Sequence, residues 1–225
     1  GQGIVATPND FGFQGERPTN PELLDWLAHE LIDNRWNLKH IHRIILNSDA
    51  YRARRMPRRL EAEAIRDNAL AVSELLDNKM YGAGTLKEDM LRRSIYFMIK
   101  RSRVIPSMQL FDSPEPLVSQ GSRPKTVIAP QALLFMNSPH VRRSAVKFME
   151  KLQGTAEAEE AIAQGYQLAL SRKPTETEST AATAFVSSQE ASYVKAGRDK
   201  KEARRLALAD FCQVLFGLNE FIYIE

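Results

Sequence analysis

Cysteine is nearly absent from this chain of 225 residues, and no long apolar run occurs in it. The single cysteine, Cys212, excludes an internal disulfide, a Cys-x-x-Cys-His haem attachment and a zinc site built from several cysteines. It stands in an apolar stretch, which favours a buried thiol over a reactive one. Because no run of about 18 apolar residues exists, no transmembrane helix is predicted.

The chain also lacks a large excess of either positive or negative charge. The chain has 31 basic and 28 acidic side chains, a net charge of +3, and a calculated pI near 9.0. This excess is too slight to indicate nucleic-acid binding. A hydrophobic content of 43% with 26% charged residues is typical of a globular protein with a substantial core.

The sequence contains no recognised metal or cofactor motif. His40 and His42 are two residues apart, so on a helix their side chains point about 200° away from each other. Neither these two nor His29 and His140 stand at a zinc-binding spacing from an acidic residue. A Gly-x-Ser-x-Gly elbow, a phosphate loop and a dinucleotide fingerprint are likewise missing. We therefore predict no metal site and no cofactor within this chain.

Helical periodicity dominates and predicts an all-α fold. We expect one domain over residues 1–225, with seven or eight helices around one core and at most one short strand or hairpin. Asn20-Pro21 begins a helix that ends near Asp33, and a second helix begins after Asn37. We expect this hairpin to bury eight apolar side chains: Leu23, Trp26, Leu27, Leu31, Leu38, Ile41, Ile44 and Ile45.

The C-terminal half predicts the main core. Helices are expected over 131–137, from Pro139, over 158–170, after the capping box of Thr175 and Glu178, and over about 201–218. Ser94 to Lys100 alternates like a strand. Residues 106–130 contain five prolines and predict a long irregular segment, of a kind that is usually functional or interface-forming. The expected core residues are Val141, Ala145, Phe148, Met149, Leu152, Ile162, Tyr166, Ala169, Ala182, Phe185, Leu208, Phe211, Cys212 and Leu215.

The most highly charged stretch, Arg58–Asp67, predicts the beginning of a helix that extends to Leu76. Arg59, Glu63, Arg66 and Asp67 share one side of it at a spacing of three or four residues. The opposite side carries an apolar stripe of Ala62, Ile65, Ala69, Val72 and Leu76. Such a helix is either a structural strut or one wall of a polar site, and its residues leave both alternatives open.

Two sets of side chains are candidates for a functional site. Carboxylates can act as an acid/base couple, for example Glu61 with Glu63 or Asp10 with Asp112. The arginines at positions 52, 54, 55, 58 and 59 can bind an anion, or they can pair with the acidic residues nearby. The catalytic candidates are Glu61, Glu63, Asp67 and Asp112. The candidates for anion or substrate binding are Arg58, Arg59, Arg66, Arg123, Gln131 and Asn137.

Several phrases in this order resemble one family over nearly the whole chain. They are Val5–Gly12, Pro21–Leu27, Arg58–Asp67, Arg92–Tyr96, Pro130–Leu133 with Met136–Pro139, and Asn219–Phe221. Together they resemble the planctomycete cytochrome-associated domain of unknown function, number fifteen-fifty-three.

The resemblance implies a C-terminal module of large exported proteins, in an extracytoplasmic setting. It also implies a c-type haem in a neighbouring domain, and partners that are other domains of the same polypeptide or a redox protein. The family pattern continues upstream and is longer after Tyr51-Arg52. We therefore expect that the chain begins inside the domain, and that either a segment is omitted near 52–54 or the loop there is naturally short.

Two hypotheses for the function follow. The first is a non-catalytic interaction or scaffold module, in which the charged helix pins the proline-rich segment through Asp112 and Arg123. The second is an enzyme domain in the oxidative or hydrolytic processing of a glycan or a similar polar substrate. In that case the acidic candidates supply acid/base groups and the arginines bind anions.

Overall fold

A computed structural model describes residues 3–53, 57–152 and 158–224. The described residues form eleven α-helices, one 3-10 helix and one two-stranded sheet, which confirms the predicted all-α class. None of these helices is both long enough and apolar enough to span a bilayer. The helices are α1 (Pro21–Asp33), α2 (Leu38–Asn47), α3 (Asp49–Arg52), α4 (Ala62–Val72), α5 (Pro106–Leu110), α6 (Ala129–Asn137), α7 (Pro139–Leu152), α8 (Ala158–Leu170), α9 (Glu176–Lys195), α10 (Lys200–Gly217) and α11 (Asn219–Ile222).

Capping residues place the helix starts where the sequence predicts them. The Asn20 side chain accepts a hydrogen bond from Leu23 N at 3.0 Å, and α1 begins directly after it. Thr175 and Glu178 form the expected reciprocal capping box at the start of α9. The helices α3, α5 and α11 are one-turn elements that the sequence did not predict, since a single turn is too short for a periodic pattern.

Two compact units make up the chain: Gly1–Arg58 with Ser119–Arg123 and Glu225, and Arg59–Val118 with Pro124–Ile224. In the first unit, α1 and α2 pack against each other. Arg35 and Trp36 have φ angles of +55° and +60° and turn the chain between them.

The burial predicted for α1 and α2 is wrong. No residue of either helix is buried, and Trp26 and Ile45 are 46% and 44% exposed. Leu23 and Leu38 are exposed as well, while Leu27, Leu31, Ile41 and Ile44 are half-buried. Two short helices that pack on each other within this unit cover only part of their apolar stripes.

The second unit contains the main core, and α10 lies at its centre against α6, α7, α8 and α9. Phe148, Phe216, Leu152, Ile162 and Leu215 are fully buried. The predicted core is confirmed for every residue named above in this half except Ala169 and Phe185, which are half-buried. The rings of Phe148 and Phe216 stack with their centroids 5.7 Å apart.

The charged helix is shorter than predicted at both ends. Arg58–Arg59 forms β1, which pairs with β2 (Tyr223–Ile224), and Leu60 N donates to Ile222 O at 2.7 Å. These pairings keep the chain extended, so α4 begins only at Ala62. At the other end Glu74 has a φ of +58°, a conformation that ends a helix. Of the predicted apolar stripe, Ala62, Ile65 and Ala69 are buried, whereas Val72 and Leu76 are half-buried and Leu76 lies beyond the end of the helix.

The predicted strand at Ser94–Lys100 is also wrong. Ser94–Tyr96 forms a 3-10 helix, and only isolated bridges follow, at Phe97 and Lys100. The proline-rich segment is partly helical, because α5 occupies its start and α6 begins at Ala129. Two stretches between helices are largely irregular. Residues 73–104, between α4 and α5, are named here the first irregular segment, and residues 111–128, between α5 and α6, the second.

Candidate functional site

Arg59 holds together the two ends of the second irregular segment. Its Nη2 donates to Asp112 Oδ2 at 2.7 Å and to Phe111 O at 3.1 Å, and its Nη1 donates to Thr126 O. The guanidinium lies 5.5 Å from the centroid of the Phe111 ring. The Arg59 side chain is only 5% exposed. A guanidinium suits this position because its planar donors can serve several acceptors at once.

Asp112 and Gln131 complete this cross-link. Thr126 N donates to Asp112 Oδ2 at 2.8 Å, and Thr126 Oγ1 donates to Asp112 Oδ1 at 2.9 Å. Gln131 Nε2 donates to Leu110 O at 2.9 Å and to Thr126 O at 3.1 Å. Asp112 has a φ of +60°, which aspartate tolerates better than most residues. Asp112 thus contacts Arg59 and Thr126, and Arg59 reaches it from β1 rather than from the helix.

These contacts make Asp112 a poor general acid. Burial alone would raise the pKa of its carboxyl group, but the hydrogen bonds from the Thr126 backbone, Arg59 and the Thr126 hydroxyl together lower it. A general acid that works near neutral pH needs a raised pKa instead.

Arg66 and Asp67 hold the first irregular segment in the same way. Arg66 Nη1 donates to Arg92 O and to Ser94 Oγ, each at 3.1 Å, and Nη2 donates to Met90 O. Asp67 Oδ1 accepts from Ser94 N at 2.8 Å and from Ser94 Oγ at 2.7 Å. Because Asp67 binds this backbone N–H, the chain at Ser94 begins a 3-10 helix instead of a strand. Burial lowers the pKa of Arg66, and the charge of Asp67 opposes that shift.

Arg92 organises the earlier part of the first irregular segment. Its guanidinium donates to the carbonyls of Lys79, Tyr81 and Ala83. It stacks 3.5 Å above the ring of Tyr96, whose hydroxyl accepts from Tyr81 N at 2.6 Å. Arg92 stands in one of the phrases that resemble the family, but no role was predicted for it, since nothing in a linear sequence shows which carbonyls a side chain reaches.

A groove of about 600 Å³ opens beside the Arg59 cross-link, within the second unit. Its walls come mainly from α6, α9 and α10. Its size and its mixture of apolar walls with a few polar groups are those of a ligand site. Its lining residues include Arg59, Val127, Met136, Phe185, Gln189, Asp210, Val214 and Asn219.

The Asp210 carboxylate in this groove was not predicted. Its Oδ1 accepts from Arg142 Nη1 at 2.7 Å, and its Oδ2 accepts from the hydroxyl of Tyr193 at 2.9 Å. Gln213 joins this network by accepting from Arg142 Nη1 at 3.2 Å, and it donates to the carbonyls of Phe135 and Met136, each at 2.8 Å. The periodic pattern gives no signal for such a network, because its members come from four helices, α6, α7, α9 and α10.

A second, smaller cavity of about 70 Å³ lies between α4, α5 and α7. Arg66, Glu88, Ser107, His140 and Ser144 line it together with apolar side chains. Ser107 Oγ is buried and has no hydrogen-bond partner among the described residues. Glu88 Oε1 accepts from Ser107 N at 3.2 Å. Within the described part of the chain, no hydrogen bond joins His140 to Ser107 or to Glu88, so these residues do not form a nucleophilic triad.

The other candidate residues belong to different elements of the two units. Arg58 and Asn137 are exposed, at β1 and at the end of α6. Glu61 is exposed at the start of α4, and Glu63 is half-buried in its first turn. In the first unit, Asp10 accepts from Gly12 N at 3.3 Å, and Arg123 belongs to the same unit. The roles predicted for these residues therefore stay predictions.

Of the arginine cluster, Arg54 and Arg55 lie outside the described residues. Among the described ones, no group of three or more histidine, cysteine, aspartate or glutamate side chains can hold a metal ion. Glu30 Oε2 lies 2.8 Å from His40 Nε2 in the first unit. Cys212 is buried on α10, and burial raises the pKa of its thiol.

Comparison with known proteins places the chain in a family. The family model named PSD1, with the description Protein of unknown function (DUF1553), matches residues 1–55 and 52–186. Neither a search of curated proteins nor a search of solved structures found a significant match. With most of its length matched, the chain belongs to the PSD1 family of proteins of unknown function (DUF1553).

Proposed function

We propose that this chain is a non-catalytic interaction module, which holds two irregular segments in fixed conformations beside a ligand-binding groove. One observation carries the proposal. Arg59, Arg66 and Arg92 donate mostly to backbone carbonyls of the irregular segments, and only Arg59 makes a short ion pair among the three. Side chains that fix the backbone in this way serve to present a surface.

The carboxylates support the same view. Asp112, Glu178 and Glu220 each have a pKa that lies below the ordinary value, because arginine or backbone N–H groups donate to them. A hydrolase acting through a pair of carboxylates needs one whose pKa is raised. The pKa values of Asp112, Glu178 and Glu220 are all displaced the other way.

We further propose that the module is the C-terminal part of an exported, cytochrome c-associated polypeptide of planctomycete type. Its partners are then other domains of that polypeptide or a redox protein. Cys212, the one thiol in the chain, is buried and poorly ionised, so it does not suit covalent haem attachment. A c-type haem would therefore be held by a neighbouring domain, and no role for it is assigned to residues of this chain.

The interaction role can be tested by cross-linking within the parent polypeptide. Arg59→Met releases both ends of the second irregular segment, so we expect proteolysis within 111–128 to accelerate and cross-links from this region to neighbouring domains to be lost. Arg58→Met, on an exposed neighbouring side chain, is the matched control and is expected to change neither. Cross-links that persist in Arg59→Met in spite of faster cleavage would contradict the proposal.

Location and haem content need a separate measurement. The parent polypeptide is expressed in a host that matures c-type cytochromes, and its cell fractions are stained for covalent haem. We expect a haem-positive product outside the cytoplasm. A cytoplasmic product without haem would contradict this part of the proposal and leave the interaction role standing.

The alternative is an enzyme domain for a glycan or a similar polar substrate, and the volume of the groove favours it. Glu63→Gln separates the two functions. The interaction role predicts reduced stability or no effect, and no turnover in either protein. An intact fold with turnover in the wild type that is lost in Glu63→Gln would establish the enzyme.

A further inference from the structure

We infer that the groove binds an extended polypeptide segment that carries apolar side chains. This inference rests on the proposed role as an interaction module and names the chemistry of its partner. Three features of the groove lead to it: its apolar rim, its unused amide groups and its internally paired charges.

The rim is made of apolar side chains that face solvent. Val127, Met136 and Val214 line the groove and are 76%, 69% and 46% exposed. Exposed apolar residues that line one concave surface mark a binding site more often than scattered ones do. Methionine is unbranched and polarisable, so Met136 can adapt to side chains of different shape. The rim therefore favours an apolar ligand.

Two amide side chains in the groove are free to bind a ligand. Gln189 and Asn219 line it, and neither amide has a hydrogen-bond partner in the described ranges 3–53, 57–152 and 158–224. Gln213, by contrast, uses its amide on two carbonyls of α6. A carboxamide offers both donors and an acceptor, which is what a peptide bond needs from its partner. A purely apolar ligand would leave these groups unused.

The charges of the groove are already paired within the protein. Arg59 pairs with Asp112, and Asp210 pairs with Arg142 while also accepting from Tyr193. Among the described residues that line the groove, a phosphate group, a nucleic acid or an anionic lipid would find no unpaired cation, and burying its charge would be unfavourable. An uncharged segment of polypeptide matches all three features.

The test is to select ligands from a phage library of random 12-residue peptides on the intact 225-residue chain. Phage that bind an unrelated protein are removed, and binding of the selected peptides to the wild type and to Val214→Glu is measured by fluorescence anisotropy. We expect enrichment of apolar, uncharged sequences. Val214→Glu should weaken their binding at least about tenfold, because it places an unpaired carboxylate against an apolar ligand.

Gln189→Leu tests whether the amide binds the peptide backbone. The substitution keeps the apolar surface and removes hydrogen bonds, so peptide binding should weaken about three- to tenfold. Gln167→Leu on α8, exposed and outside the groove, is the matched control and should leave binding unchanged. Circular dichroism and thermal unfolding verify that each variant is folded.

Several outcomes would overturn the inference: no enrichment, enrichment of charged peptides, or equal binding by wild type and Gln189→Leu. Octyl glucoside serves as a neutral amphiphile; if it competes with the peptide and binds Gln189→Leu more tightly than wild type, the groove is a site for amphiphiles instead. Each of these results can occur while the cross-links tested with Arg59→Met behave as expected. Failure of the peptide site is therefore distinguishable from failure of the interaction role.

Discussion

Three arginines in this protein act mainly through hydrogen bonds to backbone carbonyls. Arg59, Arg66 and Arg92 each bind carbonyl groups of an irregular segment and each lie against an aromatic ring. A buried guanidinium needs several acceptors to offset the loss of its hydration. Irregular segments have carbonyls to spare, since those groups are not used in a helix.

Arg59→Met is expected to lower the free energy of unfolding by about 3–5 kcal/mol, because it leaves the mostly buried Asp112 carboxylate without its cation. Urea unfolding followed by circular dichroism measures this loss. Adding Asp112→Asn should recover part of it, and exposed Arg58→Met should change stability by less than about 0.5 kcal/mol. If the double variant is no more stable than Arg59→Met, the ion pair is not the cause.

The thiol of Cys212 should be inert in the folded protein. It is fully buried, and burial raises its pKa, so the reactive thiolate is scarce. We expect Ellman's reagent to modify Cys212 only in denaturant, at the rate of global unfolding. Rapid modification of the native chain would show that α10 opens locally.

Among the elements, α10 organises the core of the second unit, and close contacts specify its neighbours. Gly165 on α8 faces α10, where a Cβ would lie 2.9 Å from Phe211 Cε1 and 3.2 Å from Leu215 Cδ1. Both partners are buried, so they have little room to move. A glycine at this point of a helix permits an approach that any larger side chain would prevent.

Gly165→Ala is therefore expected to destabilise the protein by about 1–2 kcal/mol, although alanine favours helix by about 1 kcal/mol over glycine. Thermal or urea unfolding measures the change. Gly217→Ala is the matched control, because a Cβ there meets its nearest neighbour, Phe135 Cβ, only at 3.9 Å. Equal effects at both positions would argue against steric contact at Gly165.

Another link between elements depends on pH. Arg172, just after α8, donates to Glu178 of α9 and to Glu220 of α11, at 2.7–2.8 Å. The hydrogen bonds from Arg172 are the main cause that lowers the pKa of Glu178 from 4.5 to about 2. A carboxyl group with a lowered pKa in the folded state stabilises the protein above its unfolded pKa. That contribution is lost as the pH falls through the folded value.

We accordingly expect stability to fall between about pH 4.5 and pH 2, and Glu178→Gln to reduce the slope of this decline. Urea midpoints measured across that range test it. Glu176→Gln, in the same helical turn, serves as the control. If both variants have the wild-type slope, other carboxylates dominate the acid response.

At the scale of the whole molecule, the two units differ in the burial that stabilises them. The helices of the first unit contain no buried residue, whereas α10 alone has eight in the second. Local stability follows buried apolar contacts, so the units should differ in how often their helices open.

Hydrogen exchange should reveal this difference directly. We expect amides of α1 and α2 to exchange at least about a hundredfold faster than those of α7 and α10, because few buried contacts oppose their opening. Mass spectrometry of pulse-labelled peptides measures it in the intact chain. Equal protection in both sets would mean that the first unit is stabilised by something other than its own core.

Much of the second unit could be predicted, because its signals are local. The capping side chain at Thr175, and the spacing of Phe211, Cys212 and Leu215, each depend on residues within a few positions of one another. The strand predicted at Ser94–Lys100 failed for the opposite reason. Its alternating pattern is local, but its conformation is decided by Arg66 and Asp67, nearly thirty residues away.

The residues of the candidate site were likewise predictable only where their signal is local in the sequence. The charged stretch identified Arg59, Arg66 and Asp67 as important, yet did not distinguish a strut from the wall of a site. It also missed Thr126, Tyr193 and Asp210, which carry no periodic or motif signal. The pairing of Arg59 with Asp112 spans 53 positions and appears only when the chain is folded.

By itself, the sequence determined the all-α class, the start of most helices and the apolar set that fills the second unit, because these follow from contacts within one or two helical turns. Only the tertiary structure decided that the arginines bind backbone carbonyls, that α1 and α2 remain without a buried residue, and that Gln189 and Asn219 meet in one groove. These properties depend on contacts between residues far apart in the chain, and such contacts leave no periodicity in the sequence.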